Sequence, residues 1–503
     1  MNKTLLLAAL LLLLTGCVRK AEVPSQFERS EALPSLYPDY VGVTVPCNIC
    51  PLNFGVKEAG QQVVARFSAG DLAYTYGEGR NVFIDEEEWA ELLRAACGDS
   101  IGVEVFVCND GTWKAFQPFS IYVSKDSIDP YISYRLIQPS YVSYNELSIR
   151  QRNLSSFDES VIYTNRDVMT QHEGQCINCH SYQNYGTQNM LFHMRQHLGG
   201  TMIVRDGKPV KVDLKSDSTL SAGVYPSWHP RLPLVAFSTN LTGQVFHTKS
   251  TDKVEVQDTQ SDLILYDVEK NEIQPIFHTD SILEIFPCWA PDGTTLYYGA
   301  ARSVITSMDS LDDQTIERYK EIKYDIFAID FNAEQRTFSE PRLVYSASEL
   351  GQSATLPRLS PNGRFMVFAQ ADHGCFHVWH HDADIYLLDL QADSTAAVPL
   401  VGINSNCSES YPSFSSNGCW VMTASRRDDG NYTRPYIAHF DAATGTCSKA
   451  FELPQQHPSF YTFCTRSFNR PEFMTEPVVV TQQQFVTAAK SAPQKATFQT
   501  AVQ

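Results

Sequence analysis

YPSWHPRLPLVAFST, residues 225–239, is the first of four similar stretches that decide the fold of the chain. The other three are FPCWAPDGTTLYYGA (286–300), LPRLSPNGRFMVFAQ (356–370) and YPSFSSNGCWVMTAS (411–425). Each has a proline at its second position, and these prolines are 61, 70 and 55 residues apart. Each then continues through a turn into an apolar strand. A multi-strand unit that recurs at such intervals is typical of the blades of a β-propeller.

A second strand of one style follows each stretch. These strands are DLILYDV (262–268), DIFAIDF (325–331), DIYLLDL (384–390) and PYIAHFD (435–441). Together the repeats resemble the TolB-type propeller repeat over residues 201–474, a little over half of the chain. The resemblance implies a C-terminal β-propeller. TMIVRDGKPVKVDL (201–214) supplies part of another repeat, so we expect five or six blades.

Residues 39–124 predict a small β-sandwich-like domain of short strands with one helix. The tripeptide NDG at 109–111 separates two β-rich runs and predicts a hairpin turn. Asp85 is a suitable N-cap for the helix, because three glutamates follow it and Trp89 and Leu92 recur at helical spacing. The sequence gives no function for this domain.

The N-terminal stretch MNKTLLLAALLLLLTGC, residues 1–17, has the basic start and short apolar run of a secretory signal peptide. Its last four residues resemble the lipobox of bacterial lipoproteins, which implies that Cys17 is the lipidated N-terminus of the mature chain. An ordinary cleaved signal peptide is the alternative. Residues 18–38 are polar and proline-rich, which favours a linker, and 475–503 are predicted to be a disordered tail.

The formal net charge is −18, which excludes nucleic acid as a partner because such binding needs a basic face. No later segment approaches eighteen uncharged apolar residues, so we expect the lipid alone to hold the chain to a membrane. The expected location is the bacterial cell envelope, on the periplasmic side or the cell surface. Ten cysteines remain outside the sites discussed here, and this compartment permits disulfides or buried free thiols.

QCINCHSYQNYG, residues 175–186, contains a Cys-x-x-Cys-His string, which should arise by chance in about one such chain in a hundred. The string resembles the haem-attachment motif of c-type cytochromes. The resemblance implies haem c, with Cys176 and Cys179 as thioether ligands and His180 as the proximal iron ligand. Such haems are attached outside the cytoplasm, where the lipobox also places the chain. Residues 125–200 are therefore predicted to be a connector with a haem-binding segment.

Other readings of Cys176 and Cys179 stay open. A zinc site would need further ligands, for which His193 and His197 lie downstream. A redox dithiol would follow a βαβ pattern, which the sequence lacks, and a simple disulfide is also open.

NMLFHMRQH, residues 189–197, is predicted to be a short helix that supplies the second axial ligand. In a helix, Met190, His193, Met194 and His197 would share one face. Of these, His193 is the favoured candidate and Met190 the next.

DHGCFHVWHHDADIY, residues 372–386, holds four histidines just before a predicted strand. We interpret it as a loop on one face of the propeller. His380 is a candidate metal ligand, with Trp379 beside it as an anchor, and exposed polar loop residues are the alternative.

The expected function is that of a lipid-anchored monohaem c-type cytochrome, in which the propeller is a docking platform for electron transfer or redox sensing. The alternative is a TolB-like scaffold that binds envelope proteins or glycans and uses the haem structurally. A haem with an open distal position that reduces peroxide or binds a gas is a third possibility. An enzyme of the acyl-transfer type is disfavoured because no Gly-x-Ser-x-Gly elbow is present.

Overall fold

The computed structural model describes residues 20–138, 145–304, 317–392 and 396–499. The signal peptide and Cys17 lie outside the described residues. The chain divides into two compact units. The first contains residues 20–127 with 155–157 and 454–464, and the second contains the rest. Both are mainly β.

The first unit has a seven-stranded sheet, a three-stranded sheet and two helices. Its strands are β1 (Glu28–Arg29), β2 (Leu36–Tyr37), β3 (Thr44–Val45), β4 (Phe54–Val56), β5 (Gln62–Ala69), β6 (Leu72–Tyr76), β7 (Asn81–Val82), β8 (Ser100–Asn109), β9 (Thr112–Ala115) and β10 (Phe119–Val123). The larger sheet has the order β1-β9-β8-β10-β3, with β5 between β8 and β6, and the smaller has the order β2-β4-β7. The helices are α1 (Glu86–Ala95) and α2 (Phe460–Phe463).

Two local predictions for this unit are confirmed. Asp85 caps α1 by accepting hydrogen bonds from the backbone N–H groups of Glu87 and Glu88, and Trp89 and Leu92 are buried. The turn at 109–111 joins β8 to β9 as an antiparallel hairpin. The expected linker, residues 18–38, also contributes strands, because β1 pairs with β9 and β2 with β4.

The second unit contains six sheets of four or five strands. The first two sheets comprise β11 (Tyr131–Ile137), β12 (Leu147–Asn153) and β13 (Glu159–Thr164), then β14 (Gln175–Gln183), β15 (Gly186–Gln196), β16 (Gly200–Arg205) and β17 (Lys208–Asp213). The third and fourth comprise β18 (Val224–Trp228), β19 (Leu234–Phe246), β20 (Val254–Asp267) and β21 (Glu272–Pro275), then β22 (Ile282–Trp289), β23 (Thr295–Arg302), β24 (Asp325–Asn332), β25 (Thr337–Phe338) and β26 (Arg342–Tyr345). The fifth and sixth comprise β27 (Ser353–Leu359), β28 (Phe365–Ala371), β29 (Asp384–Asp389) and β30 (Val398–Pro399), then β31 (Glu409–Phe414), β32 (Trp420–Ser425), β33 (Arg434–Asp441), β34 (Thr446–Cys447) and β35 (Phe451–Glu452).

The last long strand, β36 (Ser467–Met474), returns to the first sheet and pairs antiparallel with β11. The first strands of the sheets then contact one another in a closed cycle of the order β36, β14, β18, β22, β27, β31 and back to β36. Such a cycle is compatible with a β-propeller-like fold.

The six first strands share one irregularity. At the same point of each strand the register shifts across a residue in the left-handed conformation. These residues are Cys179, Tyr225, Phe286, Leu356, Tyr411 and Arg470, with φ between 49° and 58°. A proline follows five of them, and His180 follows Cys179. The irregularity is a β-bulge, which re-aims the side chains beside it.

The helix predicted over 189–197 is wrong, because residues 189–196 belong to strand β15 and His197 lies in the turn after it. Met190, Phe192 and Met194 alternate along the strand and are fully buried in one apolar core. Pairing with β14 and β16 satisfies the backbone hydrogen bonds of the segment, so the two-residue period of the strand prevails over the helical spacing. The segment 125–200, predicted to be a connector, forms three of the four strands of the first sheet and the first two strands of the second.

The predicted disorder of the tail is wrong for its described part. Helix α3 (Gln482–Lys490) begins with a capping box between Thr481 and Gln484, and Phe485 is fully buried. The short strands β37 (Gln494–Lys495) and β38 (Thr497–Phe498) extend the second and third sheets. The polar composition hid this outcome, because the apolar side chains that reach the core are separated by glutamines, threonines and other polar residues.

Candidate functional site

A cavity of 490 Å³ lies in the second unit, and the bulged first strands of all six sheets contribute to its wall. All six left-handed residues named above line it. Its volume is within the range of small-molecule and cofactor sites, about 300–1,000 Å³. Cys176, Cys179 and His180 all lie on this wall, so the structure brings the three residues of the predicted haem motif to one cavity.

The pairing of β14 with β15 explains which neighbours the motif has. Cys176 is opposite Arg195 and Asn178 is opposite His193, so these four side chains share one face of the sheet. All four line the cavity. Arg195 Nη2 lies 3.6 Å from Cys176 Sγ. The register of the two strands therefore places His193 and Arg195 beside the motif, where a helix had been expected to place His193.

His180 is buried and neutral. Burial holds its pKa well below the ordinary value, and the positive charges of Arg470 and Arg135 add to the effect. Its Nε2 atom has no hydrogen-bond partner, and the nearest carboxylate oxygen, Glu472 Oε2, is 3.6 Å away. Because the His180 imidazole is neutral, the two groups do not form a charged ion pair. Burial raises the pKa of the Glu472 carboxyl, and the charge of Arg470 opposes this effect. A neutral imidazole nitrogen without a partner is the form that binds a metal ion.

The structure separates the candidates for a second axial ligand. His193 lines the cavity, and its Nδ1 lies 3.2 Å from Thr201 Oγ1. Burial lowers the pKa of His193 to about 3, so its imidazole is also neutral. Met190 is fully buried in the apolar core and is not part of the cavity wall. His197, which a zinc site would have used, contacts Glu173 at 3.3 Å and is not on the wall either.

The cavity wall is cationic, although the whole chain is acidic. Five arginines line the cavity, and no aspartate or glutamate does so among the described residues. The arginines are Arg135, Arg195, Arg358, Arg426 and Arg470. Aromatic rings complete the wall, and those of Tyr225 and Phe286 lie 4.5 Å apart between centroids. Such a wall suits a ligand that is apolar and aromatic in part and carries negative charge.

The residues present fit a covalently attached haem. Both thiols of the motif are free and line the same cavity as a neutral histidine. Asn178 Oδ1 and His180 Nε2 are buried polar atoms without hydrogen-bond partners in the described chain. The aromatic wall matches the apolar macrocycle, and the arginines match its two propionates.

Only two of the four histidines in the stretch 372–386 converge on another ionisable group. His373 Nε2 and His380 Nε2 lie 3.3 Å and 2.9 Å from Glu255 Oε2. His377 instead contacts Thr355 Oγ1 and two backbone carbonyl oxygens, which is a structural role. His381 is exposed. His380, the sequence candidate, is therefore beside a carboxylate rather than on the cavity wall.

Sequence reasoning missed two features of these sites. Arg470 is the last of the six bulge residues in chain order, and Pro471 follows it as a proline follows four of the others. The short stretch FNRPEF at 468–473 was the sequence signal for this bulge. Glu255 meets the histidines across more than a hundred residues of chain, and nothing in its local sequence marks it. None of the twelve cysteines that the structure describes is in a disulfide.

Within the described ranges, no helix combines the length and the apolar character that a membrane span requires.

Comparison with known proteins does not identify a family for the chain. No protein-family model matches the chain, and no curated protein does. One similar solved structure belongs to work on two prolyl endopeptidases, with 11% identity and a TM-score of 0.33 over 64% of this chain. The match spans only 42% of that protein, less than half of its length. Another is an ancestral GH74 enzyme, with 8% identity and a TM-score of 0.23 over 87% of this chain and 71% of that one.

Proposed function

We propose that the second unit is a six-bladed, TolB-like β-propeller whose central cavity holds haem c, and that the protein is a monohaem c-type cytochrome. Six sheets with contacting first strands support the propeller. The observation that carries the haem assignment is that Cys176, Cys179 and His180 line one cavity. A Cys-x-x-Cys-His string placed by chance would have no reason to line a cavity together with a second buried histidine, His193.

The three residues of the Cys-x-x-Cys-His motif would hold the haem. Cys176 and Cys179 would form the two thioether bonds, and His180 would be the axial ligand through its unpartnered Nε2. His193 is the second imidazole on the wall and is the candidate for the other axial position. When bound, haem c supplies one-electron redox chemistry.

The remaining wall residues exclude water and neutralise charge. Burial keeps His180 and His193 neutral, which leaves their nitrogens able to bind iron without first losing a proton. The arginine side chains would offset the carboxylates of a bound anionic cofactor, and the rings of Tyr225, Phe286 and Tyr411, which line the cavity, would provide apolar surface for it.

The role of the protein is electron transfer or redox sensing at the cell envelope. One haem holds one electron, so a donor and an acceptor protein are required. The lipobox resemblance at Cys17 supports a lipid anchor on the periplasmic side or at the cell surface, and the negative net charge favours partners with a basic face. The propeller provides the rigid surface for docking.

The proposal is tested by expressing the full chain together with c-type maturation machinery and recording a pyridine haemochrome spectrum. We expect one covalent haem per chain. Replacing Cys176 and Cys179 by Ala should abolish it. The matched control replaces Cys47 and Cys50, which have the same spacing in the first unit, and should leave the haem content unchanged. A colourless wild-type protein whose Cys176 and Cys179 react with alkylating reagents would overturn the assignment.

A further inference from the structure

A second cluster of metal-ligand type lies in the same unit and has no part in the haem proposal. Glu255 is on β20, and His373 and His380 are in the connection between β28 and β29. The three side chains are buried, with exposed fractions of 1%, 8% and 0%. Their ligand atoms all lie within 4.8 Å of one another.

The cluster leaves polar atoms without partners. Both imidazoles point an Nε2 atom at the same carboxylate oxygen, Oε2, while Oε1 of Glu255 and Nδ1 of His380 have no hydrogen-bond partner. Buried polar atoms in this state are costly, and their usual explanation is a missing ion or water.

The distances suit a cation between the three groups. Zinc binds imidazole nitrogen and carboxylate oxygen at about 2.0–2.2 Å, so tetrahedral ligand atoms stand about 3.3–3.6 Å apart. The observed separations of 3.3 Å and 2.9 Å need only a small outward movement of the rings.

The backbone leaves room for such an ion. Gly374 has a φ of +71°, and a Cβ atom there would lie 3.0 Å from His380 Cε1 and 3.1 Å from Glu255 Oε1. The glycine therefore keeps clear the space between the imidazole and the carboxylate. The carboxylates of Asp252 and Asp382 act on His380 electrostatically, and their negative charge favours a cation here.

We propose that Glu255, His373 and His380 form a structural site for a first-row divalent transition metal, in particular Zn²⁺. Two imidazoles and one carboxylate without a thiolate are a donor set that Zn²⁺ accepts. The fourth position is filled by Glu255 Oε1 or by a water molecule. The site joins sheets three and five, which are not neighbours in the cycle of first strands.

A metal ion at this site stabilises the position of part of the cavity wall. Val254, Val378 and Trp379 form a small apolar cluster directly beside the three ligands. Val256, Phe376 and Trp379 line the cavity, and each is within three residues of a ligand. The backbone N–H of His381 also donates to Asp252 Oδ1 at 2.8 Å. An ion at this point holds the histidine connection against β20.

The test measures zinc in the full-length protein by mass spectrometry after dialysis against trace Zn²⁺. Haem contains only iron, so zinc content is read independently of it. We expect one Zn²⁺ per chain in the wild type and in the Cys176→Ala, Cys179→Ala double variant. Glu255→Gln, His373→Ala and His380→Ala should each lower the affinity about a hundredfold or more. His381→Ala, in the same connection but exposed, should keep the full content.

A second measurement tests the site without the ligand variants, in case these variants do not fold. Adding Zn²⁺ to chelator-treated wild-type protein should raise its melting temperature, and adding Co²⁺ to the double cysteine variant should give a visible d–d absorption band. The proposal is overturned if the wild type takes up no Zn²⁺ and its melting temperature does not respond. It is also overturned if the three ligand variants retain zinc. Zinc binding without haem would leave this site intact while removing the cytochrome assignment.

Discussion

Arg195 Nη2 lies 3.6 Å from Cys176 Sγ, because the two residues are directly opposite each other in the β14–β15 pair. Arg195 donates a hydrogen bond to this sulfur, so it orients the Cys176 thiol on the cavity wall. The same register places His193 opposite Asn178, two residues further along the strand.

Replacing Arg195 by Gln should therefore lower the haem content of protein expressed with c-type maturation machinery, because the Cys176 thiol loses the group that orients it. The measurement is the pyridine haemochrome absorbance per mole of purified chain. Arg358→Gln, on the same cavity wall, is the control and should lower the haem content less. Equal effects of the two substitutions would contradict a specific role for Arg195.

The two candidates for the distal haem position are predicted to behave differently. His193→Ala should convert a low-spin haem spectrum to a high-spin one, because this imidazole lines the cavity. Met190→Ala should leave the spectrum unchanged but lower the free energy of unfolding by about 2–5 kcal/mol, since its side chain fills the core. A spectral change in the methionine variant alone would reverse the assignment.

Helix α3 is predicted to stabilise the second unit. Phe485 packs against Phe192 and Tyr163, with ring centroids 5.5 Å and 6.4 Å away. Phe485→Ala should cost about 3–5 kcal/mol of unfolding free energy, measured by chemical denaturation. Gln483→Ala, on the exposed side of the same helix, should cost less than about 0.5 kcal/mol. Unchanged stability of the phenylalanine variant would show that the tail does not pack.

Glu284 should make the protein less stable as the pH rises. Burial raises the pKa of its carboxyl to about 8, from an ordinary value of 4.5, and the negative charge of Asp262 adds to this. Thr279 Oγ1 donates to Oε1, and Oε2 has no hydrogen-bond partner. Between pH about 4.5 and 8 the unfolded chain gives up a proton that the folded chain keeps. This group therefore lowers the unfolding free energy by up to about 1.4 kcal/mol per pH unit in that window.

Glu284→Gln should remove that slope, so that the variant is the more stable protein at pH 8 and nearly equal to the wild type at pH 4. Urea denaturation at several pH values measures the difference. Glu334→Gln is the control, because this residue is exposed. Parallel stability curves for the wild type and the Glu284 variant would contradict the prediction.

Much of the second unit could be predicted because its signals are local. The stretches DLILYDV, DIFAIDF and DIYLLDL form strands, as the recurring pattern predicted. They are third rather than second in their sheets, because each preceding stretch supplies two strands instead of one. The capping of α1 by Asp85 and the turn at 109–111 were predictable for the same reason, since each depends on a few neighbouring residues.

The segment 189–197 could not be assigned from its own sequence. Its apolar residues fit both a helical and an alternating pattern, and the choice depends on pairing with β14 and β16. Tertiary pairing supplies hydrogen bonds that local propensity does not encode. The prediction of a disordered tail was wrong for a similar reason, because strands distant in the sequence form the core in which Phe485 packs.

The sequence by itself determined the recurring multi-strand unit and the presence of a Cys-x-x-Cys-His string, because turn residues and motif spacing are properties of short stretches. Only the tertiary structure decided that this string occupies the bulge that Tyr225-Pro226 and its equivalents occupy in other sheets, facing a cavity lined by arginines. It also brought Glu255 to His373 and His380. The physical reason is that sheet register and contacts between sheets bring together residues a hundred or more positions apart, and no local sequence pattern encodes such contacts.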